Sequence, residues 1–154
     1  IIPADAKAVR RMTEKLSSLE YDSDHGVDVL QNAKAFVKAY NNLIESTDDN
    51  QDSRLNFLKK KLTKLIKNNK DDLALIGIDL KGDGSLSLDE DTFGAARPAR
   101  IEEILSSKGN ISASLRSIVN KIYRQSGKLS VYNASGEKTA QDTQDSGKSV
   151  DFSL

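Results

Sequence analysis

Residues 73–93 read LALIGIDLKGDGSLSLDEDTF, the one strand-type pattern in a chain otherwise patterned for helices. Ile78 and Leu80 alternate with polar residues, as do Leu86 and Leu88, and Lys81-Gly82-Asp83-Gly84-Ser85 lies between them. Asp-Gly between alternating apolar residues predicts a hairpin, because glycine accepts the backbone angles that a tight reversal needs. Upstream, Leu73–Ile76 reads as a helical turn closed by Gly77 at its C-terminal cap. Downstream, Asp89 reads as the N-cap of a new helix, with Leu88 and Phe93 spaced for a hydrophobic staple. The stretch is therefore helix stop, hairpin, helix start. A lone hairpin is marginal in water, so one face of this one must lie on helices from the rest of the chain.

Those helices follow from apolar spacing. Pro3 suits a first turn, and Val9, Met12, Leu16 and Leu19 form one stripe running to Tyr21. Asp22 to Gly26 breaks it. A second helix spans about Val27 to Glu45 with Leu30, Ala33, Val37, Tyr40 and Ile44 on one face, widened by Phe36 and Leu43. A third starts near Ser53 with Leu55, Leu58, Leu62, Leu65 and Ile66, and stops near Asn69 or runs on toward Ile76. After the hairpin come a short helix from Asp89 to about Ala96, a helix opened by Pro98 with Ile101, Ile104 and Leu105, and a stop at Gly109. A last helix, about Ile111 to Gln125, carries Leu115, Ile118, Val119 and Ile122 and ends at Gly127. The remainder is rich in Ser, Gly, Asp, Gln and Lys. It reads as a flexible tail with a possible short strand at Leu129, Val131 and Asn133. Expected is a mainly α fold: an elongated antiparallel, coiled-coil-like bundle with one small hairpin at 78–88. The helical domain covers 1–127 and the tail 128–154.

Composition narrows the chemistry. The chain has 154 residues, suited to one domain, and 37% are hydrophobic, enough for a modest core. With 23 basic and 23 acidic residues the net charge is zero, so nothing global favours nucleic acid. No cysteine and one histidine, His25, leave no disulfide, thiol catalysis or multi-histidine zinc site. The longest apolar run, Leu73–Ile78, is far short of a membrane span. No signal peptide is visible, and the opening Ile1-Ile2-Pro3 reads as part of a longer or processed protein.

At the second helix the residues reach a known pattern. Ala35-Phe36-Val37-Lys38-Ala39-Tyr40-Asn41-Asn42-Leu43-Ile44 resembles the FV-x-AYN-x-L helix of bacterial flagellar filament-capping proteins, the hook-associated family at the filament tip. Leu75-Ile76-Gly77-Ile78 followed by Asp83-Gly84-Ser85-Leu86-Ser87-Leu88-Asp89 is similar to the family's L-x-x-IGI and DG-x-L-x-LD segment. Pro98 to Leu105 and Gly109 to Gln125 are similar to the helices after it. The resemblance covers roughly residues 30–127; the first helix and the tail lie outside it. It implies a non-enzymatic structural protein with a helical core, exported to the extracellular flagellum, self-associating as a homo-oligomer and contacting flagellin. Leu30, Phe36, Val37, Tyr40, Ile44, Leu58, Leu62, Leu65, Ile78, Leu86, Leu88 and Phe93 are the expected packing and assembly residues.

Four patterns compete for chemistry. Asp79 to Glu90 nearly matches a calcium-binding EF-hand loop, with Asp79, Asp83, Ser87 and Glu90 at oxygen-donor positions and Gly84 at the turn. Lys81 stands where a further oxygen is required, and Gly77 breaks the entering helix, so a hairpin is the expected reading and a calcium module the alternative. Lys59, Lys60, Lys61, Lys64, Lys67 and Lys70 decorate the third helix beside its leucines. Such a helix can lie on anionic lipid or fill a partner's groove, but Asp48-Asp49 and Asp71-Asp72 flank it, so a solvated back is expected and a helical interaction module remains an alternative. Residues 142–149, DTQDSGKS, end like a phosphate-binding loop but lack its first glycine and preceding strand. His25 sits in a polar breaker without a nucleophile. No cofactor and no catalytic constellation emerge.

Overall fold

The computed structural model describes the backbone of residues 1–134 and the side chains of residues 1–129. These residues are mainly helical, with one two-stranded antiparallel sheet. The chain divides into two units, Ile1–Tyr123 and Arg124–Leu154. The described part of the second is the end of a helix.

Helix α1 (Ile2–Ser17) starts with proline in its first turn and buries Ala6, Val9, Thr13 and Leu16. The stripe therefore runs through Thr13 rather than Met12, which is only half-buried. The Thr13 hydroxyl donates to the Val9 carbonyl at 2.9 Å, which lets a polar residue sit in the core. The helix ends before Leu19 and Tyr21, contrary to the expected span. The Tyr21 hydroxyl instead donates to the Leu16 carbonyl, an acceptor in the last turn that has no partner within the helix.

A single 3-10 turn, Ser23–His25, leads into α2 (Gly26–Ser46). α2 buries one wide apolar face and is the central element: it packs along α1 and also touches the hairpin and the helix after it. Helix α3 (Ser53–Asn68) is capped by the Asp52 carboxylate, which accepts the Leu55 N–H at 2.9 Å. It buries Leu55, Leu58, Leu62 and Ile66; each such leucine contributes about 1.5–3 kcal/mol. Of the two expected endpoints, α3 takes the nearer one. The Asn69 side chain bonds back to the Leu65 carbonyl at 2.8 Å, and a separate short helix, α4 (Lys70–Leu75), follows.

The hairpin forms as its sequence predicts. Strand β1 (Ile78–Leu80) pairs with β2 (Leu86–Leu88) in the register Ile78 to Leu88, Asp79 to Ser87 and Leu80 to Leu86. Gly77 closes α4 with φ +87°, and its N–H bonds the Ala74 carbonyl at 3.0 Å. Its carbonyl accepts the Asp89 N–H at 2.8 Å, extending the ladder. A Cβ on Gly77 would lie 2.7 Å from the Asp89 carbonyl oxygen, so both backbone angle and space demand glycine there. Asp89 then caps α5 (Glu90–Ala95), accepting from the Asp91 N–H at 3.2 Å and the Thr92 hydroxyl at 2.7 Å.

Pro98 opens α6 (Pro98–Leu105), and a turn at Ser106–Gly109 leads to α7 (Ser112–Ala134). α7 runs past Gly127. This corrects both the expected stop there and the strand at Leu129, Val131 and Asn133. One glycine costs a helix only about 1 kcal/mol relative to alanine, too little to end it without help from its neighbours. The rest of the expected tail, residues 135–154, lies outside the described residues. At the centre of the core, side chains from α1, α2, α3, α4, α6 and α7 enclose a space of about 20 Å³ lined mostly by apolar groups. That is room for about one water, not for a ligand. Among the described residues no helix is long and apolar enough to cross a membrane.

Candidate functional site

The ladder's hydrogen-bond alternation decides how the hairpin docks. Gly77 pairs with Asp89 across it, and the Lys81 N–H bonds the Ser85 carbonyl at 2.8 Å. By alternation, the N–H and C=O of Leu86 point away from β1. Both are taken by one side chain of α2. The Asn41 amide donates to the Leu86 carbonyl at 2.9 Å and accepts the Leu86 N–H at 2.8 Å. The carboxamide thus acts as a one-residue third strand, satisfying a strand edge that Leu86, 2% exposed, cannot offer to water. Lys34 of α2 adds an ion pair to Glu90 of α5 at 3.0 Å.

The calcium-type positions do not converge. Asp79 and Ser87 face each other across extended strands. Asp83 sits at the tip, where the N–H and hydroxyl of Ser85 bond it at 3.0 and 2.6 Å and hold its carboxyl below the usual range. Glu90 is bonded to Lys34. Among the described residues, the acidic and histidine side chains that come together as a group of three are Glu20, Asp22 and His25.

That group was not foreseen. Asp22 caps the 3-10 turn, accepting the N–H groups of Asp24 and His25, both at 3.0 Å. Its carboxylate also meets Nδ1 of His25 at 2.6 Å, while Glu20 meets Nε2 at 3.2 Å. The two acids address opposite ring nitrogens, an arrangement that favours imidazolium over a shared metal. The Asp22 hydrogen bond raises the His25 pKa and lowers that of Asp22. Both side chains are about half exposed, so the cluster fastens the loop ahead of α2 rather than forming an enclosed reaction site.

The twelve expected packing and assembly residues divide by burial. Phe36, Val37, Tyr40, Ile44, Leu58, Leu62, Ile78, Leu86 and Phe93 are core. Leu30, Leu65 and Leu88 are half-buried, and each lines a different surface groove: Leu30 beside Phe93 and Ile101, Leu65 between α3 and α7, and Leu88 beside Val37 and Asn41. These three, the half-buried Ile118 and the exposed Ile1, Val27, Phe57 and Leu75 are among the apolar groups available to a partner.

The lysine face of α3 borders two grooves. Toward α7 lies one of about 530 Å³, with Lys61, Lys64 and Lys121 beside Leu65 and Ile118. Toward the hairpin tip lies one of about 680 Å³, with Lys60, Lys64, Lys67 and Lys81. Lys59 pairs with Asp48. Lys61 stands 5.4 Å from the centre of the Phe57 ring, and Arg54 stands 5.6 Å from it.

Compared with family models, with curated proteins and with solved structures, the chain matches none.

Proposed function

We propose that this chain is a non-enzymatic assembly domain of the flagellar filament-cap type, acting outside the cell by self-association and contact with flagellin. The observation that carries the reading is the Asn41 clamp. The two stretches that resemble the capping family, residues 35–44 and 75–89, are 45 positions apart at the bond itself, yet one supplies both hydrogen bonds that the other's edge requires. That the two stretches lean on each other in space supports reading them together as one unit. The scaffold they make offers half-buried leucines at three separate grooves, which suits contacts to more than one neighbour.

Sedimentation velocity of the chain, alone and with flagellin monomer, tests this. Concentration-dependent oligomers together with a flagellin complex are expected. A monomer at every concentration that leaves flagellin free overturns it.

A further inference from the structure

We propose that the groove between α3 and the Ser112–Tyr123 part of α7 docks an acidic amphipathic helix of a partner protein. This inference does not depend on the capping reading. α3 contributes Lys61, Lys64 and Leu65, three positions on one helical face, and α7 contributes Ile118 and Lys121 from its facing side. Leu65 and Ile118 are only half-buried and make an apolar floor, while Lys64 and Lys121 stand exposed at the rim. Among the described residues neither rim lysine has a carboxylate within 4.0 Å, nor do Lys60, Lys61 and Lys67. An apolar floor between unpaired cations complements a helix with leucine-type residues on one face and carboxylates beside them.

The extent of the positive patch selects this occupant over other anions. Along α3, Lys60 to Lys67 covers eight residues, about 10 Å or two turns. Acids close it along the helix at both ends: Asp48 is held by Lys59, one residue before Lys60, and exposed Asp71 and Asp72 follow the last turn of α3. A bilayer or a nucleic-acid duplex carries negative charge well beyond 10 Å and would lie against those acids. A partner helix with two turns of carboxylates fits between them.

The probe is a fluorescent synthetic peptide of about four helical turns, leucines on one face and glutamates flanking them, followed by anisotropy on the full chain. The control peptide has the same composition with the leucines scattered. We expect the amphipathic peptide to bind at low salt, weaken as salt screens the rim, and bind at least about tenfold more weakly to Lys64→Glu/Lys121→Glu. Both positions are exposed, and circular dichroism checks the fold; Lys64→Gln/Lys121→Gln, which removes charge without reversing it, should also weaken binding. The scattered peptide should bind at least about fivefold more weakly, for loss of the apolar floor. The proposal is overturned if the amphipathic peptide does not bind, if either double substitution of Lys64 and Lys121 leaves binding unchanged, or if the scattered peptide binds equally. Tighter association with phosphatidylserine vesicles or a DNA duplex than with the peptide also overturns it.

Discussion

Replacing Asn41 by alanine should cost about 2 kcal/mol, far more than an isolated surface asparagine is worth. The side chain makes two bonds, at 2.9 and 2.8 Å, to the N–H and C=O of Leu86. Leu86 is 2% exposed, so both groups lose their partner while still shielded, at about 1–3 kcal/mol each. Asn41 itself is half-buried; water reaching the vacated space holds the loss to the lower end, about 2–3 kcal/mol. Alanine's better helix propensity returns about 0.6 kcal/mol. The neighbour Asn42 is exposed on the same helix, so Asn42→Ala should gain only that propensity term. Urea unfolding followed by circular dichroism gives both values, and hydrogen exchange at the Leu86 amide should quicken in Asn41→Ala alone. If the two variants differ by less than about 0.5 kcal/mol, below the net worth of one hydrogen bond, the clamp does not hold the hairpin and the reasoning fails.

Gly77→Ala should lower Tm by roughly 8 °C, because its Cβ meets backbone at 2.7 Å and its φ is +87°; a shift under about 2 °C contradicts that geometry. The Tyr40 hydroxyl is buried without a hydrogen-bond partner among the described residues, so Tyr40→Phe should stabilise the fold by about 1 kcal/mol, and a loss of that size would show that the hydroxyl is bonded. In an NMR titration His25 should titrate above the ordinary value of about 6.5, and Asp22→Asn should return it toward that value, since the Asp22 bond is the main cause of the rise. The stabilisation from this raised pKa is complete below the unfolded value and fades as pH climbs through the folded one; the lowered pKa of Asp22 sets the opposite edge, lost as pH falls. A midpoint at or below the ordinary value contradicts the bridge.

The hairpin and its flanks were legible because their determinants are local. Gly77 stops a helix, Asp83-Gly84 reverses the chain and Asp89 starts the next helix, each through bonds to residues a few positions away. The stripes of α2 and α3 were legible because burial repeats with the helical period. The Asn41 clamp was not: nothing near Asn41 marks it as the partner of a backbone 45 residues on. Thr13 hid in the core because its own helix satisfies its hydroxyl, and sequence patterning scores it polar. Leu30 and Leu65 repeat at the right spacing yet flank their stripes, where Val29 and Ile66 take the buried positions. Gly127 misled because a helix tolerates one glycine. Glu20, Asp22 and His25 are close in sequence, but only the folded turn aims both acids at one ring.

Immunogold labelling of the source cells with an antibody to this chain tests the capping account most directly. Gold concentrated at filament tips is the expected result. Gold elsewhere, with filament tips bare, would contradict it.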